Sequence, residues 1–362
     1  MSLANLGSPL VAHGGVAVHC VDADIDGDAW DAALLDLGAG APFATSAWAP
    51  VLRDYFGVAP IYLLARAEQR TDGWDGCLAC YVNRDWTGQR RLYGARQGMF
   101  ATQQAADALV AAANHLAGMH GCAGFDLSST DPVLEDRPGH RARTTFRLAL
   151  DRDHDVMWRQ LRDKTRNMVR RAQKSDVTVR ELPHDDTSFR ILATHNERNL
   201  LPKGVAVPDA NYFAAVCASH GARAHILSAW LGDVPIASML VLRHGGVAVY
   251  PVQNADPAHR RLAPIQLLTW EAMCLGAANG CEALDMGESG EGSPVYKAKR
   301  NFGGSPKTVS ALSARVDSDV SSDSGAFSAR IRSVLDSATM QYAPMPLRRR
   351  YGRWRFRRGR IL

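Results

Sequence analysis

Apolar and polar residues alternate with a period of two along several stretches in the first half of the chain, as they do in half-buried β-strands. These stretches are APIYLLARAEQ, CLACYVNRDW, RRLYGAR and GFDLSS. Apolar residues recur instead at helical spacing in DAWDAALLDLGAG, which leads through SAWAPVLRDYFG to the first strand, and in AADALVAAANHLAGMHG. This order predicts helices, an antiparallel meander, a crossover helix and one more strand.

A second run of the same kind begins near residue 151. It opens with a helical stretch, HDVMWRQLRDKTRNMVRRAQKS, followed by VTVRELP and DTSFRILATHNERNLL. The strands AHILSAWL, PIASMLVLRH and VAVYPVQ are joined by Gly-Asp and Gly-Gly turns, and the helix PIQLLTWEAMCLGAANG leads to a last strand, ALDMGES. We therefore predict an α+β fold of two tandem domains, each a mostly antiparallel sheet flanked by helices.

The length of 362 residues fits two or three domains. The predicted boundaries are 1–150 for the first domain, 151–314 for the second and 315–362 for a C-terminal extension. The extension begins with a polar stretch typical of a linker, RVDSDVSSDSGA, continues with a short helix, FSARIRSVLDSA, and ends in a basic tail.

The positive charge is concentrated in that tail. The net charge is +5, yet the last fifteen residues, RRRYGRWRFRRGRIL, hold eight arginines and no acidic residue, so the rest of the chain is mildly acidic. Such tails are usually mobile and attract RNA or an anionic membrane, or else serve only as solvated extensions. The interleaved aromatic residues favour a binding role, because they stack on bases or lie at a lipid interface.

Composition narrows the class of protein. A hydrophobic content of 46% and a charged content of 22% are typical of a soluble globular chain. No stretch approaches the roughly 18 uncharged apolar residues that cross a bilayer, and no signal peptide precedes the first domain, so we expect a cytoplasmic protein. The seven cysteines include one Cys-x-x-Cys pair, Cys77 and Cys80, inside a predicted strand, so we expect no metal site.

Three segments carry a family resemblance. They are WRQLRDKTRNMVRRAQKSDVTVRE at 158–181, ADPAHRRLAPIQLLTWEAMCLGAANGCEALDMGES at 255–289, and SPVYKAKRNFGG at 293–304. In this order they resemble signatures of the Fem-type branch of the GNAT superfamily, whose members are tandem-domain aminoacyl- and acyltransferases. The chain departs from the family in having Ala298 where an aromatic residue is usual, and in lacking an inserted coiled-coil arm.

The resemblance implies attack of an amine on an activated acyl carbon, with aminoacyl-tRNA or acyl-CoA as co-substrate and no other cofactor. A cation held near the tetrahedral intermediate stabilises its negative charge. Lys299 matches the lysine of the family's loop and is the first candidate for this role, with Tyr296 and Lys297 beside it. Gly303 and Gly304 would give the loop close backbone approach.

Phosphate-binding residues are predicted in two places. A basic helix carries Lys164, Arg166, Asn167 and Arg170, and guanidinium groups bind phosphate in bidentate fashion. Arg260 and Arg261 precede a helix N-terminus, a usual place for a pyrophosphate. Glycine is missing between Asp256 and Gly276 and Pro264 lacks an amide donor, which weakens a CoA loop there.

Two carboxylates lie on the strand that leaves this helix. Asp285 and Glu288 are the nearest candidates for a general base, and Asp285 is equally suited to a structural ion pair or cap.

The leading hypothesis is an aminoacyl-tRNA-dependent N-aminoacyltransferase acting on the amine of a peptidoglycan precursor or of a small biosynthetic intermediate. The tRNA would bind through the basic helix 164–174 and the arginine tail, and the tail would alternatively contact a membrane. The first alternative is an acyl-CoA-dependent N-acetyltransferase acting on an amino sugar or another amine. The second is a non-catalytic RNA- or membrane-binding protein of the same fold.

Overall fold

The computed structural model describes residues 8–22, 26–316, 336, 339–340, 343–359 and 361. It divides into two compact units. The first comprises the described residues within Met1–Arg143, Thr308–Asp336 and Arg357–Leu362, and the second those within Thr144–Lys307 and Ser337–Phe356. The predicted linker beyond Val316 and the predicted helix at 327–338 lie outside the described residues, apart from Asp336.

The strands and helices of the described residues are numbered in chain order. The strands are β1 (Val11–His13), β2 (Val16–Val21), β3 (Pro60–Ala67), β4 (Gly76–Arg84), β5 (Arg90–Ala101), β6 (Gly124–Ser129), β7 (His140–Ala149), β8 (Val177–Leu182), β9 (Ala224–Leu231), β10 (Val234–His244), β11 (Val247–Ala255), β12 (Ala283–Ser289) and β13 (Ser305–Arg315). The α-helices are α1 (Gly27–Asp36), α2 (Trp48–Pro50), α3 (Gln103–Met119), α4 (His154–Gln160), α5 (Asp163–Lys174), α6 (Asp186–Leu200), α7 (Ala210–His220), α8 (Pro264–Ala278), α9 (Pro294–Asn301) and α10 (Met345–Phe356). A π-helical turn, Val51–Phe56, continues α2.

In the first unit the sheet has the order β1-β2-β3-β4-β5-β6-β13. The neighbours are antiparallel except β5 and β6, which are parallel and are connected by α3. Along α3 the side chains of Ala105, Ala108, Leu109 and Ala112 are fully buried, and they belong to the same apolar cluster as Leu63, Leu78 and Leu92 of the sheet. The small side chains of this helix let it lie close to the strands.

The second unit repeats the plan with the order β7-β12-β11-β10-β9-β8. Here β11 and β12 are the parallel pair, connected by α8, and the other neighbours are antiparallel. Leu268, Ala272 and Met273 of α8 are fully buried in the core of this unit. The predicted α+β fold with two mostly antiparallel sheets of like topology is therefore confirmed.

Several predicted elements differ from those in the structure. The single helix predicted for residues 154–175 is two helices, because Leu161 and Arg162 adopt extended backbone angles between α4 and α5. The stretch SPVYKAKRNFGG is not a loop, since its residues Pro294–Asn301 form α9. Much of the tail is the helix α10 rather than a mobile extension. The strands β1, β2, β7 and β13 and the helix α7 had no counterpart in the sequence analysis.

Cys77 and Cys80 lie on β4 as predicted, and both are buried. Burial raises the pKa of the Cys77 thiol to about 12, and it also raises the pKa of Cys80. Neither thiol is thus readily ionised for nucleophilic or metal chemistry. No helix within the described ranges combines the length and the apolar character needed to cross a bilayer.

Candidate active site

The two parallel strands of the second unit pair with each other only at their beginnings. The ladder joins Val247 to Ala283 and ends at Val249 and Asp285, although β11 runs on to Ala255 and β12 to Ser289. On its other side β12 pairs with β7 from Ala283 to Ser289, with an irregularity between Asp285 and Glu288. The carboxyl-terminal halves of β11 and β12 are therefore free of mutual pairing, which leaves backbone polar groups for a ligand.

Lys299 is anchored at this end of β12. It is a buried side chain on α9, with 9% exposure. Its Nζ donates hydrogen bonds to the carbonyl oxygens of Gly287, at 2.7 Å, and Glu288, at 3.2 Å. Gly287 has a φ of +77°, a conformation that favours glycine, and this turns its carbonyl into position. A buried ammonium group thus sits where the parallel strands separate.

The helix α9 fixes the direction of this lysine. Ser293 caps the helix by accepting a hydrogen bond from the amide of Tyr296 at 3.1 Å, and Pro294 occupies the first turn. On the inner side the ring of Tyr296 packs edge to face against Phe146, with centroids 5.0 Å apart. Tyr296 thus packs from α9 against β7. Lys297 points outward and is exposed.

Ala298 and the two glycines of this segment do not line the open loop that the sequence analysis expected. Ala298 is exposed on α9, so the missing aromatic side chain would have lain on the outside of the helix. Gly303 and Gly304 serve packing within the chain. A Cβ at Gly303 would lie 2.6 Å from the carbonyl oxygen of Gln160, and one at Gly304 would lie 3.0 Å from that of Arg147.

Asp285 is enclosed by three hydrogen-bond donors. Its carboxylate accepts from the Thr145 hydroxyl at 2.6 Å, from Arg147 Nε at 3.2 Å and from the Gly287 amide at 2.7 Å. Its side chain is 3% exposed. These contacts suit the structural alternative, because they fix β12 to β7 and hold the turn that presents the Gly287 carbonyl. Glu288 is half-buried next to it.

The basic helix α5 has its cations in different environments. Lys164, Asn167, Arg171 and Lys174 are exposed. Arg166 is engaged within the protein, since it pairs with Asp163 and donates to the carbonyls of Arg159 at 3.2 Å and Leu161 at 3.0 Å. Arg166 therefore stabilises the extended segment between α4 and α5.

Arg170 of the same helix lies over an aromatic pair. Its guanidinium carbon is 5.4 Å from the ring centroid of Trp158, and that ring meets Trp270 edge to face at 4.9 Å. Stacking of this kind orders an exposed guanidinium while leaving its N–H donors available.

The junction between β11 and α8 lies where the sequence predicts it. Arg260 and Arg261 are exposed in a 3-10 turn, Pro257–Leu262, and Arg260 donates to Asn199 Oδ1. The same oxygen accepts from Lys203 Nζ at 2.9 Å. Burial and the charge of Arg260 lower the pKa of Lys203. Sequence reasoning missed Asn199 and Lys203, because only the fold brings α6 and the 3-10 turn that follows it, Leu201–Lys203, beside the junction.

The amino end of α8 has few backbone donors to offer. Ala263 adopts a left-handed conformation with φ +57°, Pro264 has no amide hydrogen, and the amide of Gln266 bonds to the Ala263 carbonyl at 3.2 Å. A pyrophosphate held by consecutive backbone amides fits this helix end poorly.

The arginine tail is partly committed to contacts inside its unit. Glu197 of α6 accepts from Arg349 Nε at 2.9 Å and from an Arg353 guanidinium nitrogen at 3.2 Å. A surface cavity of about 550 Å³ adjoins these residues. It is lined by Glu197, Arg198, Leu201, Pro202, Asp256, Pro257, Ala258, Met345 and Arg349.

Comparison with known proteins agrees with this architecture. Residues 159–298 match the family model described as an acetyltransferase (GNAT) domain. No curated protein matches the chain. Among solved structures, FemX is similar with a TM-score of 0.61 and 12% identity, over 80% of this chain and 96% of FemX.

Two further structures are similar in fold. A tandem GNAT protein from the clavulanic acid biosynthesis pathway has a TM-score of 0.51 and 13% identity, over 84% of this chain and 100% of its own. L-PGS from Bacillus licheniformis has a TM-score of 0.50 and 13% identity, over 85% of this chain and 95% of its own. Residues 159–298 are therefore similar to a GNAT domain, and the chain shares the fold of FemX, of L-PGS and of this tandem GNAT protein.

Proposed function

We propose that the chain transfers an aminoacyl group from aminoacyl-tRNA to an amine of a peptidoglycan precursor or of a small biosynthetic intermediate. The observation that carries the proposal is the buried ammonium of Lys299 at the end of β12, beside the point where β11 and β12 stop pairing. A cation held in a place where water is scarce is one of the groups that stabilise the oxyanion of acyl transfer.

In the proposed reaction the amine nitrogen attacks the carbonyl carbon of the aminoacyl ester. A C–N bond forms, the C–O bond to the tRNA ribose breaks, and the ribose hydroxyl leaves with the proton that the amine loses. Negative charge develops on the carbonyl oxygen, and the Lys299 ammonium stabilises it, as one well-placed donor does by about 3–4 kcal/mol in other acyl-transfer sites. Asp285 keeps the Gly287 turn in place and thereby positions Lys299.

The choice of tRNA over CoA rests on how phosphate groups would be held. The amino end of α8 has a proline and a left-handed alanine in place of a run of available amides. Cationic side chains are instead spread over α5 and the junction, at Lys164, Arg170, Arg171, Lys174, Lys203, Arg260 and Arg261. Scattered side-chain cations suit an extended polyphosphate such as tRNA better than one compact pyrophosphate.

The acyl-CoA-dependent acetyltransferase is the second candidate, and the description of the matched family model as an acetyltransferase domain favours it. Both donors would give an alkali-stable amide, whereas the ester of unreacted aminoacyl-tRNA and the thioester of unreacted acyl-CoA are cleaved by mild alkali. The labelled donor that yields alkali-stable label therefore identifies the co-substrate.

The test supplies the purified chain with amine-containing metabolites and either amino-acid-labelled tRNA or acetyl-labelled CoA. We expect alkali-stable label only from the tRNA, and none after ribonuclease treatment. Label from CoA alone would replace the proposal with the second candidate, and binding of tRNA without transfer from either donor would support the non-catalytic alternative. A tRNA donor also requires that the protein act in the cytoplasm.

A further inference from the structure

The helix α10 has an outer face made of Leu347, Arg350 and Trp354, three residues spaced by three and four along the helix. Leu347 is 59% exposed and Trp354 is 41% exposed. Large apolar side chains with this exposure are few in the described part of the chain, and two of them share this one helix face. An exposed apolar pair on a helix rich in arginine requires an explanation.

The opposite face holds α10 firmly against its unit. Gly352 is buried, and a Cβ there would lie 3.1 Å from Leu201 Cδ1. Phe356 packs edge to face on Tyr212, with centroids 5.2 Å apart. Together with the double ion pair to Glu197, these contacts fix the rotation of the helix. The outer face is thus presented outward by the fold and is not a feature of a loose tail.

The charge of the helix is uncompensated on that side. Residues Met345–Phe356 contain five arginines and no acidic residue. The carboxylate of Glu197 serves Arg349 and Arg353, whereas Arg350 is exposed and forms no ion pair with a described carboxylate. Arg350 lies between Leu347 and Trp354, so positive charge and apolar surface are combined on one strip.

We propose that the outer face of α10 binds an anionic lipid bilayer, with Leu347 and Trp354 entering the interface and Arg350 facing the headgroups. Leucine and tryptophan side chains enter the membrane interface, and long cationic side chains beside them reach back to the headgroups. The charge favours negatively charged lipids.

An RNA partner explains the outer face less well. The arginines would suit phosphate, but the aliphatic Leu347 offers nothing to a nucleic acid. One side of the Trp354 indole is also covered by Tyr351, which stacks on it at 5.4 Å with an interplanar angle of 26°. The proposal does not involve Lys299 and stands whether or not tRNA is the donor.

The test measures cosedimentation of the full chain with vesicles. We expect binding to vesicles of phosphatidylglycerol and phosphatidylcholine in equal parts, and at least tenfold weaker binding to pure phosphatidylcholine. Arg350→Gln should weaken binding to the anionic vesicles by about fivefold at low ionic strength. Leu347→Ala combined with Trp354→Ala should weaken it by about tenfold or more, because two interfacial side chains are lost.

Matched controls use exposed residues elsewhere. Arg190→Gln removes an exposed arginine of α6, and Leu35→Ala combined with Met119→Ala removes two exposed apolar side chains. These controls should bind vesicles as the unaltered chain does. Unchanged thermal unfolding of every variant shows that the fold is retained, and the single variant Leu347→Ala serves if the double variant unfolds.

Three outcomes would overturn the proposal. The first is equal loss of binding in Arg350→Gln and Arg190→Gln, which would mean attraction by net charge alone. The second is vesicle binding that survives loss of Leu347 and Trp354. The third is no vesicle binding, with the outer-face variants instead weakening tRNA binding or abolishing self-association in analytical ultracentrifugation.

Discussion

Lys299 is an unusual lysine, because its ammonium group is buried and tied to two main-chain carbonyls at the end of β12. We predict that Lys299→Met lowers kcat by at least tenfold, since an uncharged side chain of similar length cannot stabilise the oxyanion. Steady-state kinetics measures this, with Lys297→Met as the control on the exposed side of the same helix. Near-normal kcat in Lys299→Met would remove the residue from the mechanism.

A substitution at Asp285 tests whether the role of this residue is structural or catalytic. We predict that Asp285→Asn destabilises the protein by about 2–4 kcal/mol, because Arg147 would lose the carboxylate of a largely buried ion pair. Denaturant unfolding gives the free energy. Normal stability together with a kcat lowered by about a hundredfold or more would identify Asp285 as a general base instead.

His195 makes stability depend on pH. The ring is buried, with Nδ1 accepting from the Ser238 hydroxyl at 2.8 Å and Nε2 donating to the Pro235 carbonyl at 3.0 Å. Burial lowers its pKa in the folded state below 6.5, its ordinary value. The unfolded chain therefore takes up the proton first, and the stabilisation present above pH 6.5 is lost as the pH falls toward the folded pKa.

The measurement is the melting temperature of the protein between about pH 7.5 and pH 5.5, a range that spans the ordinary pKa of histidine. The unaltered chain should lose stability toward the acid end, and His195→Gln should lose less over the same range. Parallel curves for the two proteins would assign the acid sensitivity to other groups.

At the residue scale the sequence supplies candidates for the site, and the limits of such prediction are physical. Lys299 is a candidate because the segment that contains it resembles the lysine loop of the Fem-type family. The partners of the site could not be found, because Asn199, Lys203 and Thr145 approach it only through long-range packing. The same is true of Gly303, whose close neighbour is the carbonyl of Gln160.

At the scale of elements, the sequence contained a helix-start signal for α9, but other residues of the segment favoured a loop. Ser293 followed by Pro294 is typical of a helix N-terminus, and the structure has this cap. The glycines at 303–304 favoured a loop instead. The break between α4 and α5 has no such signal, because neither proline nor glycine occurs there. Its extended backbone is held instead by hydrogen bonds from Arg166.

Gly303, which follows α9, packs closely against the end of α4 at Gln160. This contact gives a prediction at the scale of elements. Gly303→Ala should destabilise the protein by about 2 kcal/mol or more, because the position has a φ of +94° and a Cβ would collide with the Gln160 carbonyl. Gly290→Ala is the control, since Gly290 has open space and no left-handed backbone. Thermal unfolding compares them, and equal melting temperatures would contradict this assignment.

The exposed cations of α5 give a second element-scale prediction. Replacing Arg171 and Lys174 by glutamine should reduce the slope of log affinity against log salt for tRNA by about 1.5, as expected for two lost phosphate contacts. Filter binding at several salt concentrations measures the slope. A slope as steep as that of the unaltered chain would exclude this face from the tRNA site.

At the scale of the whole molecule, the two units share one strand plan, and the sequence predicted it because hairpins and crossover helices are local patterns. The strands β7 and β13 were missed because their pairing is set by distant partners. Ser310–Arg315 of β13 pair with β6, nearly two hundred positions away in sequence. Such strands have no turn of their own to mark them.

The most direct measurement of the central claim is ribonuclease-sensitive amide formation. Purified protein is given amino-acid-labelled tRNA and an amine pool, and alkali-stable label is counted with and without ribonuclease. Alkali-stable label should require both intact tRNA and Lys299. Label that appears from acetyl-CoA and persists after ribonuclease treatment would contradict it.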